Sequence, residues 1–402
     1  MSVSAQQAEQ SQHGRSPPPS FEWQGTWRST YLSQPKTREP SVDCSNLFSD
    51  LLHRPFFCAN VPLDHYAQNI PSSNRIPRLP DLDPTDFATN WVSHPFILTQ
   101  PVRNWPIYKT WTWQHLATTY ATTNFRAEAV DWPLSTYLTY LRNSTDESPL
   151  YLFDSHFSHK MSLPPTAYTA PPAFGPDLFT HLSTHRPDHA WLIIGPARSG
   201  STFHKDPNAT SAWNAVLSGR KYWIMFPSSP SIPPPPGVYV SEDQSEVTAP
   251  LSIPEWLLGF HAEARKTPGC REGVCESGEV LHVPSGWYHL VLNLEDGVAV
   301  TQNFVPEARL GAVLKFLRDQ RESVSGFGKG VGDPYRLFVQ KLGESEPEVL
   351  RRGLDECERL GQARVGKWER LTGKEGMEEG GRDEEGGFSF GFGGGDSDEE
   401  VP

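Results

Sequence analysis

Between Leu150 and Phe304 the apolar residues fall in short runs separated by Gly, Pro and Ser. Leu150–Asp154, Ala190–Gly195 and then 202–206, 211–217, 221–226, 279–283, 287–294 and 298–304 read as strands on that pattern. Short strands with Gly/Pro/Ser turns predict a mainly β sandwich or barrel, not a parallel α/β sheet. Helical spacing is confined to the flanks. Before the strands it predicts a helix or embracing arm over 46–57, a helix start at Pro84 and helices from Thr112 and over 132–141, with Pro95–Leu98 a lone strand. Helices are also expected over 177–185, 307–322 and 348–371. The Pro- and Ser-rich stretch 228–273, with Pro233 to Pro236 in a row, reads as a surface excursion bordering the strands. No internal repeat is evident.

The periods divide the chain into a leader (1–42), a helical and strand support region (43–150), the β domain (151–306), C-terminal helices (307–372) and a Gly-rich acidic tail (373–402). The leader and tail carry too little apolar character to form a core and are expected to be disordered. The helices of 307–372 would cap the barrel or form a homodimer contact.

Composition adds limits. Hydrophobic residues make up 37% of the 402, with 38 Pro and 32 Gly, as in a loop-rich protein. The net charge of −13 is concentrated at the C-terminus, where ten acidic residues follow Gly373 against Lys374 and Arg382. No long basic run is present, which argues against direct nucleic-acid binding, while the acidic tail suits a basic partner such as a histone. No apolar N-terminal segment suggests a signal peptide, and no run is long enough for a membrane span. Five scattered cysteines read as free thiols, and an intracellular location is expected.

Candidate chemistry centres on Thr202-Phe203-His204-Lys205-Asp206-Pro207. Alternation along a strand would point His204 and Asp206 the same way. With His289 from Gly286-Trp287-Tyr288-His289 they would make the 2-His-1-carboxylate set of non-haem Fe(II) oxygenases. Among 14 histidines about one chance His-x-Asp is expected, so the surrounding residues decide. Ser218-Gly219 reads as a two-residue hairpin turn placing 216 opposite 221, so Asn214 and Lys221 would share a face. A lysine turned inward needs an anion, and the distal carboxylate of 2-oxoglutarate would serve. Ser285-Gly286 reads as a second hairpin turn. After it, a three-residue loop at Glu295–Gly297 would pair His289 with Asn303 and Thr301 with Val291. A two-residue turn would flip Thr301 and Asn303 away.

These residues resemble a JmjC (jumonji C) domain, the double-stranded β-helix or cupin-like jelly roll of Fe(II)- and 2-oxoglutarate-dependent oxygenases. The resemblance covers 191–304 and rests on Gly195-Pro196, Arg198-Ser199-Gly200, His204-x-Asp206-Pro207, Thr210 to Ala215, Gly219-x-Lys221-x-Trp223 and Phe226-Pro227. It continues in Gly278-Glu279, Val283-Pro284-x-Gly286-Trp287-x-His289, Asn293-Leu294 and Thr301 to Phe304, and extends weakly through Ser148 to Ser155. It is nearest the bifunctional arginine demethylase and lysyl-hydroxylase branch, and the flanks are similar to fungal F-box and JmjC proteins, although no F-box is recognisable. The resemblance implies Fe(II) ligands His204, Asp206 and His289. It implies 2-oxoglutarate contacts from Lys221, Asn214, Thr301, Tyr151 and Ser201, the last in place of a threonine, with Trp191 and Asn303 lining the pocket. Lys205 stands where an apolar residue is usual and should face outward; Tyr288 replaces a tryptophan.

The activity so implied consumes O2 and 2-oxoglutarate, releases succinate and CO2, and hydroxylates a protein side chain. Hydroxylation at a lysyl CH2 stays as an alcohol; at an N-methyl carbon it collapses to formaldehyde and a demethylated amine. Lysyl hydroxylation leads on resemblance, with demethylation of a histone or other methylated protein, or a non-catalytic interaction role, as alternatives. The family also implies a nuclear location. His181 with His185, His156 with His159, and a zinc set of Cys270 and Cys275 with His261 and His282 are weighed as solvated or packed residues.

Overall fold

The computed structural model describes residues 53–229, 232–241 and 246–371, so the leader and tail lie outside the described residues. The large sheet runs, in spatial order, β1 (Arg78–Leu79), β2 (Phe96–Leu98), β13 (Val280–Val283), β8 (Ser211–Ser218), β15 (Gly297–Phe304), β6 (Ala190–Gly195), β5 (Leu152–Asp154), β3 (Asn124–Ala127) and β4 (Val130–Pro133). The small sheet runs β12 (Arg271–Glu276), β9 (Arg220–Phe226), β14 (Tyr288–Asn293) and β7 (Gly200–His204). A ribbon of β10 (Tyr239–Val240) and β11 (Val247–Thr248) stands apart. From β6 to β9, and again from β12 to β15, successive strands alternate between the two large layers, the jelly-roll arrangement.

That alternation overturns both expected hairpins. β8 pairs with β13 and β15, whereas β9 pairs with β12 and β14. Ser218-Gly219 is a corner between sheets, with Gly219 at φ +80°. β13, β14 and β15 also change sheet at each turn, so neither register considered for 295–297 forms. His289 pairs with His204 and Met225, and Thr301 with Asn214 and Trp191.

Side-chain alternation sorts the strands into three packed layers. Tyr222, Ile224 and Phe226 of β9 and Tyr288, Leu290 and Leu292 of β14 face outward, into a cluster with Trp256, Leu257 and Leu258. Trp213, Ala215 and Leu217 of β8 with Val298 and Val300 of β15 face the other way, against Trp105, Ile107, Tyr137 and Leu138 of the support region. Between the sheets lie Ala212, Val216, Trp223, Met225, Val283 and Val291. Because both faces of the central strands are covered, their sequences are apolar nearly throughout, and the few polar residues on inward positions stand out.

The 228–273 excursion is more built than its composition suggested. It contains the helix Ile253–Ala264, started by Ser252, which accepts the Glu255 N–H at 3.3 Å. Pro254 in the first turn has no intrahelical N–H to lose, so a proline-rich stretch still enters a helix. Residues 271–273 already belong to β12. Elsewhere Trp132 and Pro133 finish β4, and the helix begins at Leu134. The 178–185 segment is a 3-10 turn broken at Ser183, φ 51°. A further helix, Pro334–Ser345, joins Leu310–Asp319 and Pro347–Leu371 in a separate core with Leu178 and Phe179. Leu310–Asp319 also lies against the Pro207–Ala209 turn that follows β7.

Candidate active site

Positions on eight strands, β5 to β9 and β13 to β15, converge on a cavity of about 270 Å³. Nine of the ten candidate residues line it: Tyr151, Trp191, Ser201, His204, Asp206, Asn214, His289, Thr301 and Asn303. Lys221 does not line it; it lies behind the wall, 1% exposed, with Nζ donating to the Tyr151 hydroxyl at 2.6 Å. Asn214 and Lys221 therefore turn toward one interior from opposing sheets, not from the expected shared hairpin face.

His204 and His289 are cross-strand partners whose ring centroids are 4.1 Å apart. β7 ends at His204, and Asp206 follows in extended conformation before the turn Pro207–Ala209. The Asp206 Oδ2 atom lies 4.0 Å from His289 Nε2. A β-bulge between these strands brings Ser201 opposite Val291 while His204 stays opposite His289. Gly200 lets β7 approach, since a Cβ there would overlap the Val291 carbonyl.

Each histidine has its Nδ1 against a backbone carbonyl, His204 on Thr202 at 2.7 Å and His289 on Trp287 at 3.1 Å. A carbonyl only accepts, so Nδ1 carries the proton and Nε2 keeps its lone pair free. Burial lowers the pKa of both, His289 to about 4 and His204 with added repulsion from His289, so both are neutral at pH 7. Burial raises Asp206 against the pull of His204. Among the described residues Asp206 Oδ2 is buried without a hydrogen-bond partner, and so are Asn214 Oδ1 and Trp223 Nε1 in the same cavity. Unpaired buried polar atoms are costly, and three around one space fit a polar guest. The donor set of two neutral imidazoles and one carboxylate suits a divalent iron. The three groups converge without closing: among the described residues no three His, Cys, Asp or Glu side chains form a tight metal-holding cluster.

Asn214 and Thr301 stand opposite each other on β8 and β15, with Thr301 Oγ1 donating to the Trp213 carbonyl at 2.9 Å. Asn303 Nδ2 donates to Thr210 Oγ1 at 2.9 Å and reaches Asp206 Oδ1 at 3.5 Å. Burial lowers Lys221 to about 7. Its second acceptor is Asn293 Oδ1 at 2.7 Å. Asn293 and Trp223 were not among the candidates. Both share strand faces with candidates, Asn293 four residues beyond His289 and Trp223 two beyond Lys221, and period-two counting finds them.

Lys205 faces outward as expected, its Nζ 4.4 Å from the Tyr288 ring and 2.9 Å from Ser228 Oγ. The zinc alternative dissolves, because Cys270 packs on the outer face of the small sheet and Cys275 between the sheets. His181 contacts Ser345 Oγ at 2.8 Å.

A family model described as a cupin-like domain matches residues 114–309. The chain is 35% identical over 365 residues to arginine-specific demethylase JMJ22 of Arabidopsis thaliana, covering 87% of this chain and 71% of that protein. It is 32% identical over 274 residues to the bifunctional arginine demethylase and lysyl-hydroxylase psr-1 of Caenorhabditis elegans, covering 64% of each. Similarity to the 2-oxoglutarate and iron-dependent oxygenase JMJD4 of Homo sapiens is 28% over 198 residues, 46% of this chain and 45% of that protein.

Proposed function

Since the chain belongs to the JmjC family of cupin-fold, Fe(II)- and 2-oxoglutarate-dependent oxygenases, we propose that it oxidises a side chain of a protein substrate, hydroxylating lysyl residues, with His204, Asp206 and His289 as the iron ligands. The observation that carries the site assignment is the joint presence, in one buried cavity, of two neutral histidines and an unpartnered carboxylate oxygen. When bound, the iron supplies O2 activation coupled to oxidative decarboxylation of 2-oxoglutarate.

The chain's own residues supply placement and dryness. The Nδ1 bonds of His204 and His289 hold both rings with Nε2 turned to the metal position. Asn303 steadies Asp206 through Oδ1, leaving Oδ2 for the metal. Asn214 and Thr301 would hold the cosubstrate from the large sheet, and Tyr151, with Lys221 behind it, would hold its distal carboxylate. Trp223, Val283 and Val291 exclude water from the inner wall. At the mouth Phe153, 40% exposed, stacks on Trp191 with centroids 5.3 Å apart, an apolar face for the aliphatic part of a substrate side chain.

Arginine demethylation is the second reading, favoured by the similarity to JMJ22 along most of the chain. Succinate release with Fe(II), 2-oxoglutarate and O2 tests the oxygenase assignment; turnover no higher than that of His204→Ala would reject it. Mass spectrometry of lysyl and methylarginyl peptides then separates an added oxygen from a lost methyl group.

A further inference from the structure

Lys221 is held by a chain of hydrogen bonds whose direction is set at its far end. The Pro196 carbonyl can only accept, so Ser199 Oγ donates to it, at 2.6 Å. With its one proton committed, Ser199 Oγ accepts from Asn293 Nδ2 at 2.8 Å. That fixes the amide, which has two orientations of nearly equal shape. Asn293 Oδ1, and not its NH2, therefore faces Lys221 Nζ at 2.7 Å. The main chain doubles the clamp, since Arg198 N–H donates to the Asn293 carbonyl at 2.8 Å and Asn293 N–H to the Ser199 carbonyl at 2.8 Å. Gly195 leaves the space: a Cβ there would overlap Ser199 Oγ and lie 2.6 Å from the Tyr151 ring and 2.7 Å from Asn293 Nδ2. Ser199 and Asn293 are 1% exposed, as is Lys221.

We propose that Asn293, oriented by Ser199, is a positioning residue that holds the Lys221 ammonium ready for the distal carboxylate of 2-oxoglutarate. This rests on the oxygenase reading above. Among the described residues Nζ bonds to one other acceptor, Tyr151 OH, a hydroxyl that rotates, and the buried Cys275 thiol lies opposite Lys221 on β12; the locked amide oxygen is the acceptor that does not turn. An acceptor favours the charged lysine, and burial opposes it. Removing the amide, or freeing it to turn its NH2 toward Nζ, leaves the lysine neutral at a lower pH. Cosubstrate binding must then take up a proton, and affinity falls.

The test is 2-oxoglutarate binding to the full chain loaded with Mn(II) under anaerobic conditions, from pH 6 to 9, together with the KM and kcat of succinate release. For Asn293→Leu the midpoint of the pH-dependent loss of affinity should move down by about one unit, with KM at pH 8 raised about tenfold and kcat changed less than threefold. Ser199→Ala, which removes one oxygen atom, should shift both in the same direction by less. Asn293→Asp should flatten the pH dependence and weaken binding throughout, because its carboxylate competes for the ammonium. If folded Ser199→Ala and Asn293→Leu keep the wild-type affinity and pH midpoint, the proposal is overturned while the oxygenase reading stands. Should only Ser199→Ala fold, its unchanged profile alone overturns it. Wild-type protein that binds no 2-oxoglutarate rejects both.

Discussion

Ser201 and His204 line the same cavity although three residues apart on one strand, because the β7–β14 bulge absorbs the odd residue. Strict alternation would send one of them outward. The close contact of β7 with β14 at Gly200 and Val291 holds this distortion. Gly200→Ala should therefore lower stability by about 2–3 kcal/mol, as overpacking does. It should also weaken Mn(II) binding at least tenfold in protein that remains folded. Denaturant unfolding with and without Mn(II) measures both, and an unaltered metal affinity would count against the bulge as the feature that sets the site.

Metal binding should depend on acid pH through Asp206 rather than the histidines. Burial raises the carboxyl and lowers both imidazoles, so on acidification Asp206 takes up its proton first. Protons compete with the ion, and Mn(II) affinity should drop about tenfold per pH unit below the Asp206 pKa. Asp206→Asn should abolish tight Mn(II) binding at every pH. A titration of wild type that stays flat from pH 7 to 4.5 would refute this order.

Lys221 makes the opposite contribution to stability. Its folded pKa of about 7 is below the unfolded value near 10.5, so between these pH values the unfolded chain binds more protons. Stability of the cosubstrate-free protein should rise with pH across that window, by up to about 1.4 kcal/mol per unit from this group. Lys221→Met should be relatively more stable than wild type at pH 6.5, with the advantage shrinking toward pH 9.5, and should lose 2-oxoglutarate binding. Parallel thermal melts across the range check the slope.

Asn214 separates stability from binding. Its Oδ1 has no partner among the described residues, so Asn214→Ala should cost less stability than a usual buried truncation while raising the KM for 2-oxoglutarate about tenfold or more. Thr301→Val loses a bond to the Trp213 carbonyl and should show both a stability cost of about 1 kcal/mol and a raised KM.

On the outer face of the small sheet, Glu272 is fully buried and accepts from Tyr222 at 2.5 Å and from Arg265 Nε at 2.9 Å. Arg265 in turn holds the carbonyls of Tyr66 and Gln68, tying the Leu63–Ala67 turn to the sheet. Glu272→Ala removes the buried carboxylate that Tyr222 and Arg265 hold and should destabilise by about 3–5 kcal/mol, as breaking a buried ion pair does. The 2-oxoglutarate affinity of the folded fraction should be unchanged, because this cluster lies on the opposite side of the sheet from the cavity.

The sequence by itself determined the class of fold, the strand positions and, through resemblance, the site candidates. Strand positions are legible because they depend on local runs of apolar residues between turn formers: β8 and β9 begin and end within one residue of expectation. Partnership is different. Ser218-Gly219 satisfies a hairpin turn and a corner between sheets equally, since both require a positive φ at the glycine. Only the packing of two layers decides which occurs, and it put Asn214 and Lys221 on opposing sheets. The same holds for the cavity wall. That Asn293 faces Lys221 through its oxygen follows from Ser199 and Pro196, 94 or more residues earlier, and no local pattern carries a hydrogen bond of that reach. What tertiary structure added was the set of contacts between distant segments, because burial, charge and hydrogen-bond direction are properties of what the folded chain brings together.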